Sequence, residues 1–412
     1  MTTTSDETQS PAIEEQGARK VSRRSVLTWI GIGAGTAAIA AGTSIGVRAA
    51  SNGAFTAGLG TPYALWRDWA ALSGVERVVA AGVLACNPHN TQPWRLGVSS
   101  EVIQIRSDPS RRMPINDASD REHFAGLGCA IENMMIAASA AGLGPSLELL
   151  PEGQASDLVA TITLRGSGAG SAADAALGDA IPLRHTNRGP YTGEPIGSDV
   201  LAALSSQTSE VNGTGLVLIT DPDRRGRLGA LYVAATEAII SDTAQSEEAF
   251  SWFRNDRAEI DQHRDGLTLD GQGLGELTLL AAKILPAQSR TDGDAFWLKA
   301  TRDVHTATAA AYGVITVDDV FDRAAQITGG RLLARLHLAA TSLGLGFHHM
   351  NQITERIDRD RSLGRPDAFS ARWAEIIGRP ASTGLVSFRI GRAVREAGLS
   401  PRRNLTDMVS AP

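Results

Sequence analysis

The run Ile136-Ala137-Ala138-Ser139-Ala140-Ala141-Gly142-Leu143-Gly144 returns as Leu338-Ala339-Ala340-Thr341-Ser342-Leu343-Gly344-Leu345-Gly346, at an offset of 202 residues throughout. Repetition over this distance constrains the fold more than any single motif, because related segments tend to build related units. The residues before each copy are spaced for one helical face: Leu127, Ile131, Met134 and Ala138 in the first, Leu332, Leu336, Ala339 and Leu343 in the second. Glycines then close each helix and an apolar segment follows. Two related α/β halves in tandem are the economical reading.

Strand candidates are distributed through both halves: Val102 to Ile105, Leu147 to Leu150, Leu158 to Leu164, Leu216 to Thr220 and Leu385 to Ile390. A helix is expected after Asp221-Pro222, extending through Leu228 to Ile240 with an acidic residue near its start. The flexible run Gly166-Ser167-Gly168-Ala169-Gly170-Ser171 follows a strand and is the natural join. The expected organisation is therefore a first half over 51–166, a linker over 167–180 and a second half over 181–412. The fold class is α+β, with helices covering sheets.

Composition limits the functions open to such a chain. Its 412 residues exceed one ordinary core, and 42% hydrophobic with 20% charged residues is a globular balance. The net charge is −6, from 39 basic and 45 acidic residues that are not segregated in the mature segment, so nucleic acid is not an expected partner. The two cysteines, Cys86 and Cys129, have no metal-site spacing and are assigned no role. His348 and His349 are adjacent and share no helix or strand face, so no metal is expected there.

Residues 1–50 read as an address. Ser22-Arg23-Arg24-Ser25-Val26-Leu27 precedes an uncharged stretch to Val47, and Val47-Arg48-Ala49 offers a cleavage site. The expectation is export by the twin-arginine machinery across the cytoplasmic membrane to the periplasm or cell envelope, or a membrane anchor if the signal is retained. Two motifs inside this stretch, Gly31-Ile32-Gly33-Ala34-Gly35 and Gly42-Thr43-Ser44-Ile45-Gly46, lack the strand that would give them meaning.

Three clusters carry chemistry. Asn87-Pro88-His89-Asn90-Thr91-Gln92-Pro93-Trp94 is dense in amides, which offer donors and acceptors to a polar heteroaromatic ring. Arg184-His185-Thr186-Asn187-Arg188 alternates guanidinium, hydroxyl and guanidinium, and Pro401-Arg402-Arg403 adds two more cations near the end of the chain. Guanidinium forks bind phosphate in pairs of hydrogen bonds, so together these groups form a phosphate cradle without a glycine-rich loop.

Asn87 to Trp94 resembles the S-x-x-N-x-Q-P-W loop of nitroreductase-family flavoproteins. Arg184 to Arg188 is similar to their R-x-S-x-R motif, with Thr186 for serine, and Pro401 to Arg403 to their C-terminal basic contact. The pattern spans about residues 65 to 410 and looks most like the duplicated, single-chain Acg-type branch. The resemblance implies FMN held between nitroreductase-like halves that form a pseudo-dimer in one chain, with the molecule a monomer. It places Arg184, Thr186, Arg188, Arg402 and Arg403 near the phosphate and ribityl chain, and Asn87, Pro88 and Asn90 near the ring. Asn351 and Gln352 stand where the family has a Glu-Gly pair, a departure beside the flavin N5.

The implied activity is hydride exchange through flavin N5 to a small-molecule acceptor such as a nitroaromatic or quinone, with NAD(P)H as one conceivable reductant and no catalytic side chain. The alternative is a protein that stores or sequesters FMN with little turnover. In that case the charged segment 95–124 is expected to form a cover.

Overall fold

A computed structural model describes residues 46–166 and 170–411, and Arg48–Pro412 form one compact unit. The twin-arginine stretch and residues 167–169 of the expected join lie outside the described residues. Among the described residues no helix is long and apolar enough to cross a membrane.

The chain is α+β, with two principal antiparallel-paired sheets. The first half contributes α1 (Gly74–Val83), β1 (Trp94–Val98), β2 (Val102–Ser107), α2 (Arg121–Ala140), β3 (Pro145–Leu149) and β4 (Leu158–Leu164). After α3 (Ala172–Ala180) and α4 (Ser198–Ser206), the second half begins with β5 (Thr214–Ile219) and α5 (Pro222–Ser241). An excursion follows, made of α6 (Thr243–Ser251), β6 (Phe253–Arg254), α7 (Arg257–His263), β7 (Leu267–Thr268), α8 (Glu276–Ile284) and α9 (Arg290–Ala300). The chain then resumes with β8 (Ala311–Val317), α10 (Arg323–Ser342), β9 (Gly346–His349), α11 (Gln352–Ser362), α12 (Ser370–Ile377), β10 (Gly384–Gly391) and β11 (Val409–Ser410).

The two sheets repeat one topology. Their orders are β11-β1-β2-β4-β3 and β5-β8-β10-β9, so β1, β2, β4 and β3 correspond in sequence to β5, β8, β10 and β9. In each half the long helix, α2 or α10, runs between the second strand and the third, and the two helices are offset by 202 residues at both ends. Their C-termini close identically. Gly142 and Gly344 have φ of 70° and 71°, and Leu143 and Leu345 donate back to Ala138 and Ala340. This is the glycine-terminated end that the repeated sequence predicts.

The expected helical faces are buried except at Leu343, which lies just past the end of α10 and is 37% exposed. All five expected strands and the helix after Pro222 are present; Leu158–Leu164 keeps its expected ends and the others shift by a few residues. β1, β8, β9 and the excursion were not anticipated.

α2 and α10 cross where each presents a glycine. A Cβ at Gly128 would overlap the Ile327 carbonyl oxygen, and one at Gly330 would overlap that of Ala125. The partners share the offset of 202, so the contact is isologous within one chain. Around it, Glu132 accepts from Arg331 at 2.7 Å and from Arg335 at 2.8 Å. Cys129 Sγ lies 3.1 Å from the Gly330 carbonyl.

In the first half only Ser99–Glu101 separates β1 from β2, whereas in the second the excursion separates β5 from β8. The C-terminal tail also departs from symmetry. It crosses to the first half, where β11 pairs in parallel with β1 and Arg402 N donates to Pro62 O at 2.7 Å.

Gly128→Val and Gly330→Val are each expected to lower stability by about 2–3 kcal/mol, since a backbone-to-backbone crossing cannot yield as a side chain does. Urea unfolding monitored by circular dichroism reads this directly, and an unchanged midpoint in both variants contradicts the crossing.

Candidate functional site

A cavity of about 320 Å³ is lined from both halves. Asn87 and Pro88 come from the loop after α1, and Glu122, Gly126 and Cys129 from α2. Thr186 and Arg188 enter from an extended segment, and His349, Asn351 and Gln352 from the end of β9 and the start of α11. The excursion supplies a large apolar wall that includes Phe250, Phe253, Phe296 and Trp297.

The segment 95–124 does not form this cover: it is built into β1, β2 and the approach to α2, and only Glu122 of it reaches the cavity. Its charges instead anchor neighbours. Arg111 pairs with Asp265 at 2.9 Å, and Asn116 donates to the Gln245 carbonyl at 2.9 Å. No local pattern in the sequence marked the excursion, because its wall is assembled from short helices without a motif.

The amide-rich loop has an unusual backbone. His89, Asn90 and Gln92 adopt φ of 45°, 56° and 52°, a left-handed region that disfavours side chains. Their neighbours hold the conformation. Asn90 Nδ2 donates to Gly266 O at 3.2 Å and Pro401 O at 3.0 Å, while its Oδ1 accepts from Arg402 at 2.6 Å. Gln92 Nε2 donates to Arg264 O at 2.9 Å, and its Oε1 accepts from Arg403 N at 2.9 Å. Asn87 Oδ1 accepts from Gln92 N at 2.7 Å. Asn87 and Pro88 face the cavity, whereas Asn90 is engaged on all sides by protein.

The arginine motif is extended backbone lying beside β9, where Thr186 bridges Phe347. Alternation along it sends Thr186 and Arg188 to the cavity. Arg184 is buried beneath; it donates to Leu84 O at 3.1 Å and sits 5.8 Å from the Trp66 ring. Arg402 meets the same features from the C-terminal tail: it donates to Leu84 O and Ala85 O, both at 3.3 Å, and lies 4.8 Å from the Trp66 ring. Arg403 turns to the Gln92 and Asp407 carbonyls. Arg184, Asn90, Arg402 and Arg403 thus stand behind the cavity wall rather than in it.

Charge at the site is unbalanced. Arg184, Arg188, Arg389 and Arg402 have no carboxylate partner among the described residues. Arg389 is fully enclosed, donating to Gly189 O at 2.8 Å and to His348 Nδ1 at 3.0 Å. Burial, and then the charge of Arg389, pushes Arg188 down to about 10. Burial followed by Arg188 pushes His89 down to about 4. Buried cations held by neutral acceptors alone favour an anion in the adjoining space.

Glu122 and Glu355 also face the cavity. Burial raises both carboxyls, and the charge of Glu122 raises Glu355 further. The Oε1 of Gln352 and the Nε2 of His349 are buried at the cavity without hydrogen-bond partners. Asn351 Oδ1 is used by Ser387 N at 3.0 Å. The paired glutamates and Arg389 are not marked by sequence spacing, whereas Arg184, Arg188 and Arg402 belong to the clusters that the sequence singled out.

The site is therefore a predominantly apolar cavity in an α+β scaffold, with unpaired guanidinium groups at and behind its wall and two buried carboxyls of raised pKa in its lining. No family model matches the chain. It is 25% identical over 353 residues to a Mycobacterium tuberculosis protein provisionally named NAD(P)H nitroreductase Rv3131, covering 82% of this chain and 91% of that one. A second protein of that species, provisionally named NAD(P)H nitroreductase acg, is 26% identical over 329 residues, with 79% and 89% covered. The chain is thus similar, at about a quarter identity, to two mycobacterial proteins provisionally named as nitroreductases. Among solved structures, the FMN-dependent nitroreductase NfnB from Mycobacterium smegmatis in complex with NADPH overlaps with TM-score 0.38 at 12% identity, over 57% of this chain and 98% of that one. An FMN-bound nitroreductase from Desulfitobacterium hafniense overlaps with TM-score 0.35 at 14% identity, over 57% and 98%.

Asn90→Ala is expected to destabilise the chain by about 2–3 kcal/mol, because it removes three bonds and leaves Arg402 short of an acceptor in a buried place. Chemical denaturation checks this; a loss close to zero would show that the left-handed loop needs no such support.

Acid should also weaken the fold. Burial is the first cause of the lowered pKa of six of the eight histidines: His89, His123, His185, His305, His337 and His348. A folded-state value below the unfolded one means stability present above about pH 6.5 and lost as pH falls towards about 4, where His89 takes its proton. The raised carboxyls of Glu122 and Glu355 act oppositely, stabilising the fold at low pH and losing that contribution as pH rises through their folded values. Denaturation midpoints measured across this range should fall on acidification, and more shallowly in His89→Gln.

Proposed function

We propose that the chain is an FMN-dependent oxidoreductase of nitroreductase type, acting on a nitroaromatic, quinone or similar electron-poor ring. The observation that carries this reading is a cavity lined by Arg188 and backed by Arg184 and Arg402, guanidinium groups without carboxylate partners, together with the unpartnered buried Gln352 Oε1 and His349 Nε2 at its wall. An elongated cofactor with an anionic end and a polar-edged ring satisfies both. In this reading Arg188 and Thr186 receive the phosphate and ribityl portion, with Arg184, Arg402 and Arg403 supporting from behind. Asn87, Pro88, Asn351 and Gln352 border the ring, and Asn90 fixes the loop that carries the first two.

Bound FMN supplies two-electron hydride exchange at N5. The protein's own contribution is orientation, exclusion of water by the aromatic wall of the excursion, and a proton held by the Glu122 and Glu355 carboxyls. NAD(P)H is the reductant that the names of the relatives point to. The equal strand order and the offset of 202 between α2 and α10 support descent from a duplicated half, working as a monomeric pseudo-dimer. The leader supports export by the twin-arginine route.

One feature favours a second reading, FMN storage: the excursion adds an apolar, aromatic wall of the kind that shields a held cofactor. The two are separated by mixing anaerobic flavoprotein with NADPH, then with a nitroaromatic. Bleaching and reoxidation are expected for the enzyme; bleaching by dithionite alone identifies storage, and a chain that takes up no FMN overturns both. Arg188→Ala is expected to weaken FMN binding by about tenfold to a hundredfold, the loss of charge-assisted bonds. Flavin fluorescence titration measures it, and unchanged affinity removes Arg188 from the site.

A further inference from the structure

Cys86 and Cys129 are far apart in sequence and adjacent in space. Their Sγ atoms lie 3.5 Å apart, both thiols are free, and both border the cavity. The approach is imposed by packing on either side. A Cβ at Gly82 would overlap the Met134 side chain, Asn133 Nδ2 donates to Ala81 O at 3.0 Å, and Gly126 leaves room for Asn87 and Pro88. The end of α1 is thereby pressed against α2, with the two sulfurs between these contacts.

We propose that Cys86 and Cys129 are a redox-modification site: a hydroperoxide entering the cavity converts the two thiols to a disulfide. The reading does not depend on FMN being bound. Closing the gap to a disulfide length of about 2.05 Å asks for a movement of about 1.5 Å, within reach of side-chain rotation and small helix adjustment.

The surroundings distinguish the two sulfurs. Cys86 lies beside His337 and His349, with one candidate ligand atom from each of the three residues within 4.8 Å of the others. Arg184 is the nearby cation, and its NH1 lies 3.4 Å from His337 Nδ1. The Cys129 thiol 3.5 Å away, followed by the neighbouring His337 and His349 imidazoles, outweighs burial and holds the Cys86 thiol well below its usual value. Burial and the presence of Cys86 hold Cys129 well above its own. Cys86 is the attacking thiolate and Cys129 the resolving thiol.

The trio does not make an equally good metal site. The His337 ring nitrogens already face Arg184 and, at 3.3 Å, the His185 carbonyl, and the guanidinium opposes a cation.

The chemistry balances without another partner. The Cys86 thiolate attacks one peroxide oxygen and the O–O bond breaks, giving a sulfenic acid and hydroxide, which takes up the proton that Cys86 released. Cys129 sulfur then attacks the sulfenic sulfur, the S–O bond breaks, and the oxygen leaves as water with the Cys129 proton. Two thiols and one hydrogen peroxide become one disulfide and two waters.

The test uses full-length purified protein, with and without added FMN, exposed to hydrogen peroxide or to dithiothreitol and then denatured and alkylated. Intact mass and peptide mapping should show loss of two hydrogens, with Cys86 and Cys129 in one linked pair, reversed by dithiothreitol. In Cys129→Ser, Cys86 should accumulate as a sulfenic acid trapped by dimedone. In Cys86→Ser, oxidation of Cys129 should slow by at least about tenfold. Wild-type protein that retains two alkylatable thiols, or that passes to sulfinic acid without linkage, overturns the proposal even if either variant fails to fold. Disulfide formation in protein that refuses FMN would leave this site standing while the flavin reading failed.

Discussion

Two helices touching backbone to backbone set the geometry of everything else. With no side chain at Gly128 or Gly330, α2 and α10 approach closely enough for each glycine to face a carbonyl of the other helix. That approach joins the two sheets through their long helices and brings α2, the arginine-bearing segment and β9 to one cavity. The buried Glu132, paired with Arg331 and Arg335, fixes the rotation of one helix about the other. Removing one member of such a set would strand the others in a dry place, so the crossing is specified electrostatically as well as sterically.

The electrostatic character of the cavity follows from what is missing around its cations. Elsewhere the chain pairs buried arginine with acid, as in Arg121 with Asp358. Beside the cavity it uses carbonyl oxygens instead, as Arg389 does with Gly189 and Arg402 with Leu84 and Ala85. Carbonyl dipoles satisfy donors without cancelling net charge, so the positive potential survives for an incoming anion. Burial, followed by the same positive potential, lowers the pKa of the nearby His89 and His185 imidazoles.

Much of the scaffold was legible in the sequence, because the repeated Gly-Leu-Gly closure and helical spacing report local physics that tertiary packing then preserves. The strand at Leu158–Leu164 and the helix opened by Asp221-Pro222 are of the same kind. β8 was not separated from its surroundings, since Ala311–Val317 is buried throughout and shows no alternation. Site residues were harder to read. Thr186 and Arg188 follow from period-two alternation, but Arg184 and Arg402 look the same in sequence whether they meet a ligand or brace a loop. The proximity of Cys86 to Cys129 and of Glu122 to Glu355 arises from helix packing and left no local trace.

The segment that carries Arg402 and runs into β11 supplies parts of the first half from a distant stretch of sequence. It closes the edge of β1, covers Trp66, whose Nε1 donates to Ser400 O at 2.8 Å, and engages the carbonyls that terminate α1. The amino-terminal half therefore cannot close around its own residues alone, because the arginine that braces its amide-rich loop lies 312 positions later. The loop bordering the cavity is held only once distant parts of the chain have met, which couples ligand capture to completion of the long-range fold.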